Sequence, residues 1–302
     1  MNYTDLITIA IPVYERTEYF EEAFLSAVNQ TVKCPVIVVD NHSSHHYFKD
    51  YIENYNKQNQ DKVRYIQNST NLGMVGNWNE CINQTSTPFL TILHDDDALH
   101  QSFIEIVSQQ INKGYQFFSS GAFIQTSLPK EFNSTLVKVN RFDKFKSTFF
   151  LFESLSPFPG IVFPVEKAKE IGGFTESKYP ISDYDFWIRL SKTCRCYKTK
   201  TRLAFYRISE KQETKKEYLN IINMTFEIRK ELQYYYLLKY FSLYSLYDQY
   251  KFYNRGSSIE STKETLNSEL YQVFNHFNYI ESKYVLNLIL KTVNKLSAVF
   301  KQ

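Results

Sequence analysis

Apolar and polar positions alternate in blocks along the first two hundred residues. The run Leu6-Ile7-Thr8-Ile9-Ala10-Ile11-Pro12-Val13 is apolar nearly throughout, the pattern of a strand covered on both faces of a parallel sheet. Tyr19, Phe20, Ala23, Phe24, Ala27 and Val28 then recur at helical spacing. Val36-Ile37-Val38-Val39-Asp40 predicts a second buried strand ending in an acid, followed by a helix around 47–59 and a third strand over Val63-Arg64-Tyr65-Ile66. A helix over 76–84 leads to a fourth strand over 89–93, which runs into His94-Asp95-Asp96-Asp97. This alternation predicts an α/β fold, a Rossmann-like, mostly parallel sheet with flanking helices. Open sheets of that kind bind ligands beyond the carboxyl ends of their strands. Pro12 to Glu15, Asp40-Asn41 and Asp95 to Asp97 are therefore expected along one cleft.

Beyond this block the pattern is helical from 99 to 112. Tyr115-Gln116-Phe117-Phe118 and Gly121-Ala122-Phe123-Ile124 predict two short strands, and residues 158–164 a loop and a strand. A short helix over 166–170 is closed by Ile171-Gly172-Gly173-Phe174. A further helix starts near Asp183 and carries Phe186, Trp187, Ile188 and Leu190, and residues 202–207 predict a last strand. A charged, Gly-free linker over 211–217 precedes a tyrosine-rich helical stretch over 218–253. After a break at Arg255-Gly256-Ser257-Ser258 the pattern is helical over 264–300. The expected organisation is one domain over 1–210 and a helical C-terminal extension over 211–302.

Composition narrows the class. With 302 residues, 43% of them hydrophobic, the chain can bury a large core. A net charge of +3 with 22% charged residues gives no basic face for nucleic acid. No apolar stretch reaches membrane-spanning length, and no charged leader region precedes the first strand, so a cytoplasmic protein is expected. Cys34, Cys81, Cys194 and Cys196 form no CxxC pair and read as reduced, space-filling thiols; Cys194 and Cys196 would share a face within a strand.

Two acidic groups carry candidate chemistry. Three adjacent carboxylates, Asp95 to Asp97, repel one another unless something neutralises them. A hard divalent cation shared with a diphosphate does so; a solvated turn capping the next helix is the alternative. Asp183 and Asp185 flank Tyr184 at a helix start, where a carboxylate serves as a cap or as a general base. His42, His45 and His46 lack matching ligand spacing and read as loop histidines. No GxGxxG follows a strand and no GxxxxGK[ST] occurs.

Taken together, these segments resemble family 2 glycosyltransferases of the GT-A fold. The resemblance rests on Ile11-Pro12-Val13-Tyr14-Glu15-Arg16, Ala27-Val28-Asn29-Gln30-Thr31, Val38-Val39-Asp40-Asn41-His42-Ser43-Ser44, Asn71-Leu72-Gly73 with Asn77-Trp78-Asn79, Leu93-His94-Asp95-Asp96-Asp97, Ile171-Gly172-Gly173-Phe174 and Ser182 to Leu190, in that order. It implies an enzyme that moves a sugar from a nucleotide-sugar, a UDP-sugar above all, to an acceptor hydroxyl with inversion, using Mg²⁺ or Mn²⁺; a sugar nucleotidyltransferase and a catalytically silent binding or scaffold protein on the same fold are the alternatives. Pro12, Tyr14, Glu15, Arg16, Asp40, Asn41, Asn71, Gly73, Asn79, Asp95 and Asp96 would hold the donor. Asp97 and Asp95 would hold the metal, and Asp183 would be the base; Trp187 and Arg189 would pack and position its helix. The acceptor implied is a saccharide or lipid-linked saccharide, in bacterial surface-polysaccharide synthesis. The sequence departs from the family at three places. Asn41 stands where many members carry a second Asp, Ser182 replaces an acid, and Ser209 stands where a metal-binding His often follows a Tyr-Arg pair, leaving Glu210 or water.

The extension lies outside the resemblance. Its last helix places Leu286, Ile289, Leu290, Val293, Leu296 and Phe300 in a stripe beside Lys291, Lys295 and Lys301. That stripe fits a helix lying on a membrane surface, peripheral at the inner face of the plasma membrane, or one packed on the catalytic domain or on a second copy of the chain.

Overall fold

The computed structural model describes residues 6–60, 62–133, 137, 139, 141–155, 158–209, 213–232, 235–254 and 258–281. Strands β1 (Ile7–Val13), β2 (Val36–Asp40), β3 (Arg64–Gln67) and β4 (Phe89–Ile92) pair in parallel in the order β3-β2-β1-β4. Helices α1 (Phe20–Val28), α2 (Tyr47–Gln58) and α3 (Gly73–Gln84) connect them. Every residue of β1 and β2 is buried, as unbroken apolar runs require. α1 buries Phe20, Ala23, Phe24, Ala27 and Val28, the stripe its spacing predicts.

The chain continues through β5 (Ala98–Leu99), α4 (Phe103–Asn112), β6 (Phe117–Gln125), β7 (Phe142–Phe145), β8 (Ile161–Pro164), α5 (Val165–Glu170), α6 (Ser182–Ser191) and β9 (Cys196–Arg207). These extend the sheet as β4-β8-β6-β9-β5, with β7 on β9. β8 runs antiparallel to both β4 and β6, so the sheet is mixed beyond β4.

Four elements differ from expectation, each through long-range pairing. Leu99 does not begin a helix: Ala98 and Leu99 pair with Phe205 and Ala204, and the helix starts at Phe103. The two strands expected over 115–124 are one strand, β6, with register shifts against β9 around Gly121. A Cβ at Gly121 would lie 2.8 Å from the Lys200 carbonyl, so the close approach needs glycine. β7 (Phe-Asp-Lys-Phe) has little strand signal of its own and exists by pairing with β9. β9 begins at Cys196, six residues early, with Lys200 and Arg202 outward and Thr199, Thr201 and Leu203 inward. Cys194 precedes the strand, and all four cysteines are free.

Four more helices follow: α7 (Glu213–Lys216), α8 (Tyr218–Glu231), α9 (Tyr235–Tyr253) and α10 (Ser268–Glu281). The helical run expected over 218–253 is divided after α8, where Leu232 turns to extended backbone. Glu210 and the stripe from Leu286 to Phe300 lie outside the described residues.

Side chains alternate across the sheet. Ile7, Ile9 and Ile11 face α1, α2 and α4, packing with Phe24, Phe48 and Phe103. Ala10, Ile37 and Val39 face the other way, into a core holding Trp78, Trp187, Phe226, Leu246 and Phe274. That second core is continuous from the sheet to α10. No helix among the described residues is long and apolar enough to cross a membrane.

Candidate active site

A cleft of about 1830 Å³ runs past the carboxyl ends of β1, β2 and β4. Pro12, Tyr14, Arg16, Asn41, Asn71, Gly73, Asp95, Asp96 and Asp183 all line it, so the structure brings together most of the residues expected there. Asp40 and Asp97 lie buried behind the wall, and Glu15 and Asn79 are turned to other partners.

The nucleotide end is a wired set of loops. Asp40 Oδ1 accepts from Ser43 N (2.9 Å) and Oγ (2.7 Å), and its Oδ2 from the Tyr65 hydroxyl (2.6 Å). Asn41 is fully engaged: its Nδ2 donates to Asn71 Oδ1 (2.7 Å) and the Gly73 carbonyl (3.1 Å), while its Oδ1 accepts from Leu72 N (2.9 Å) and Asn68 Nδ2 (3.1 Å). The backbone partners fix the amide's orientation. A carboxylate could not make the two donated bonds. Asn41 thus organises the 71–73 turn instead of presenting a free edge to a base.

Glu15 and His42 both take left-handed backbone (φ 55° and 67°), a conformation that costs non-glycine residues of order 1–3 kcal/mol and gathers at functional sites. Each is held by bonds between the two strand ends. The Glu15 carboxylate accepts from Ser44 N (2.8 Å) and Oγ (3.0 Å), and these bonds keep it below the usual carboxylate range. His42 Nδ1 donates to the Asn68 carbonyl (3.1 Å).

The acidic loop is pinned at both ends, by β4 before it and β5 after it. Arg16 bonds Asp95 and forms an ion pair with Asp96 (2.7 Å). Burial opposes the Arg16 charge, but these carboxylates more than offset it and raise its proton affinity. Burial lifts the Asp95 carboxyl to about 6 despite Arg16. Asp97 is 1% exposed. Its Oδ1 accepts from Arg207 N (2.9 Å), while its Oδ2 is buried with no hydrogen-bond partner. Burial, then the charges of Asp96 and Asp95, push the Asp97 carboxyl well above the usual range. His94 stacks on Trp78 (centroids 5.6 Å, 17°) and packs against Phe158 (4.4 Å). Burial there lowers its pKa to about 4, leaving a neutral imidazole.

Ligand atoms of His94, Asp96 and Asp97 lie within 4.8 Å of one another. One imidazole, two carboxylates and an orphaned carboxylate oxygen suit a divalent cation. Asp95, expected as a metal ligand, lies outside this group and bonds Arg16, which also pairs with Asp96. The sequence reading missed His94 although it sits inside the Leu93 to Asp97 motif, because only the folded loop brings its imidazole beside the Asp96 and Asp97 carboxylates. It also missed Arg207, whose guanidinium donates to the Asp96 and Thr126 carbonyls (2.9 and 3.0 Å) and pairs with Glu22, clamping the acidic loop to β9.

At α6 the two flanking acids have separate fates. Asp185 Oδ2 accepts from Arg189 Nε (2.8 Å) and the Thr175 hydroxyl (3.2 Å). Arg189 also donates to the Ile171 and Gly173 carbonyls (both 2.7 Å), holding the turn before the helix. Asn79 clasps the same turn, bonding Phe174 N (2.8 Å) and its carbonyl (2.9 Å). Asp183 has no cationic partner among the described residues and accepts from Tyr184 N (2.7 Å). Burial raises its pKa to about 6, so it is ionised at neutral pH yet more basic than an ordinary aspartate. Trp187, fully buried, packs the helix against Phe117, Phe158 and Phe163.

A mostly parallel sheet with an acidic loop and a facing carboxylate at its carboxyl edge is the plan of GT-A glycosyltransferases. Residues 8–161 match the family model described as glycosyl transferase family 2, and the chain belongs to that family. It is 30% identical over 130 residues, 42% of this chain and 42% of the relative, to the GalNAc(5)-diNAcBac-PP-undecaprenol beta-1,3-glucosyltransferase of Campylobacter jejuni. An uncharacterized glycosyltransferase of Haemophilus influenzae is 22% identical over 325 residues, 99% of this chain and 100% of the relative. Among solved structures, S. aureus TarS 1-349 in complex with UDP-GlcNAc superposes with a TM-score of 0.61 at 13% identity, covering 89% of this chain and 78% of that one. The mannosyltransferase PcManGT from Pyrobaculum calidifontis, in complex with GDP-Man and Mn2+, gives 0.57 at 12%, covering 96% and 84%. At these identities the likeness shows the fold.

Proposed function

We propose that this glycosyltransferase transfers a sugar from a UDP-sugar to a hydroxyl of a saccharide or lipid-linked saccharide, inverting the anomeric carbon, with Asp183 as general base. The observation that carries this reading is the pairing across one cleft of a half-buried Asp183, without a cationic partner among the described residues, with an acidic loop whose Asp97 Oδ2 has no hydrogen-bond partner. Asp183 takes the proton as the acceptor oxygen attacks the anomeric carbon. The bond from that carbon to the diphosphate oxygen breaks, and its electron pair leaves with the nucleotide. His94, Asp96 and Asp97 would hold a divalent cation, Mg²⁺ or Mn²⁺, which would supply Lewis-acid stabilisation of the departing diphosphate. Pro12, Tyr14, Asn71 and Gly73 shape the nucleoside end, and Arg16 sits where it reaches either the acids or a phosphate.

The UDP preference is supported by the UDP-GlcNAc bound to TarS, and the lipid-linked saccharide by the acceptor in the Campylobacter enzyme's name. A surface-polysaccharide role on the cytoplasmic side of the membrane accords with both. A thermal-shift panel of UDP, GDP, dTDP and CMP, each with and without Mn²⁺, tests the donor. UDP is expected to raise Tm only with Mn²⁺, by an amount set by RT ln(1 + [L]/Kd), and Asp97→Ala to abolish the shift. A shift for none of the nucleotides would overturn the reading.

A further inference from the structure

From the geometry of the cleft's far wall, we infer that α9 forms a binding track for an extended, hydroxyl-rich glycan several sugars long; the inference rests on the glycosyl-transfer reading of the same cleft. At about 1830 Å³ the cleft exceeds the ~300–1,000 Å³ of a typical small-ligand pocket, leaving space beyond a nucleotide-sugar. That space is walled by Phe241, Tyr244, Ser245, Asp248, Gln249 and Phe252, which all line the cleft. Their spacing, i, i+3, i+4, i+7, i+8 and i+11, is one helix face. At 1.5 Å per residue that face runs about 16 Å, longer than a single sugar ring.

Part of this face also serves the core, since Tyr244 packs on Phe277 and the Ser245 hydroxyl donates to the Phe152 carbonyl, while Asp248 and Phe252 are exposed. α9 already buries Leu243, Leu246, Tyr247 and Tyr250 on its other side. The cleft side mixes aromatic rings with a hydroxyl, a carboxylate and an amide. Flat rings offer electron-rich faces to the C–H faces of pyranoses, and the polar groups match hydroxyls that both donate and accept. No aliphatic residue interrupts the stripe, as a lipid tail would favour. Asp248, exposed and without a cationic partner among the described residues, disfavours a phosphate at this position.

The track is joined to the base. Arg229 of α8, fully buried, donates from Nε to the Tyr184 hydroxyl (3.0 Å) and from Nη1 to the Ser242 carbonyl of α9 (3.0 Å). Tyr184 follows Asp183 directly, and its hydroxyl also bonds the Phe150 carbonyl. A glycan lying along α9 would therefore run toward Asp183 with a terminal sugar near the base.

The test is fluorescence polarisation of labelled linear mono- to hexasaccharides of hexose and N-acetylhexosamine, with the full chain, UDP and Mn²⁺ present. Affinity is expected to rise at least about tenfold from one sugar to four. Phe252→Ala and Asp248→Asn, both at exposed positions, are expected to weaken the longer glycans about fivefold or more and to flatten that length dependence. The UDP-induced thermal shift reports whether each variant is folded. Equal affinity for mono- and hexasaccharides, or variants that bind long glycans as the parent does, would overturn the track. Absence of glycan binding with an intact UDP shift overturns the track and leaves the transfer reading standing; loss of the UDP shift in the parent removes the reading itself.

Discussion

The two sides of the cleft are built by different means. The donor side is made of strand ends, where the backbone is already fixed by the sheet, and its polar side chains are mostly engaged with one another. Asp40, Asn41 and Glu15 each hold a neighbouring loop before any ligand arrives. The far side is made of helix faces and the loops between them, and the turn over residues 171–175 that precedes the Asp183 helix is held by Arg189 and Asn79. Strand ends thus give a preorganised donor site, while a helix face offers a row of side chains that can vary without disturbing hydrogen-bonded backbone.

Asp183→Asn is expected to have the largest effect, since it removes the proton acceptor: kcat falls about 10²–10⁴-fold, with nucleotide binding retained in a titration. Retained turnover would move the chemistry away from α6. The pH profile sharpens the same point. Asp183 accepts a proton only when ionised, so kcat is expected to fall as pH drops through about 6, where an ordinary aspartate would hold until about 4. The sign for stability is opposite. The folded carboxyl holds its proton more tightly than the unfolded chain does, so this group's contribution to stability grows as pH falls from 6 toward 4.

Arg189→Ala is expected to cost about 3 kcal/mol in urea unfolding, because it strips the turn's carbonyls and Asp185 of a charged donor. Its kinetic effect should fall on kcat through Asp183 more than on donor affinity. Asn41→Asp is expected to weaken UDP binding about thirtyfold, ~2 kcal/mol, because two donated bonds are lost and two acceptors face a carboxylate. Tighter binding in that variant would show that base contact outweighs loop order. The smallest effect is expected for His42→Gly, which relieves left-handed strain but loses the bond to Asn68. A gain of no more than about 1 kcal/mol in unfolding free energy is the expected result.

Much of the donor side is legible in the chain because its strands are buried on both faces and read as continuous apolar runs. β2 matches its predicted bounds, and the acids fall at strand ends where the topology places them. The elements misread were those whose existence depends on distant partners. β5 is two residues, β7 is half charged, and the first half of β9 alternates lysines with threonines. At the site, residue types were legible but their allegiances were not. Nothing local distinguishes Asp183 from Asp185, whose neutralising Arg189 is revealed only by helical geometry, or Asp95 from Asp97, which differ in the reach of Arg16. Arg229 carried no sequence signal, since an arginine within a helix reads as solvated surface.

The core that runs unbroken from β1 and β2 through Trp187 to Phe226, Leu246 and Phe274 has a consequence for heat. A chain whose catalytic sheet and terminal helices share one set of buried neighbours should absorb its unfolding enthalpy in a single peak, with calorimetric and van't Hoff values in agreement. An organism that exchanged α8 to α10 to meet a new glycan would be exchanging part of the sheet's own support. Variation on that side of the cleft is then expected to concentrate on the solvent-facing residues of α9 and to spare the face beneath them.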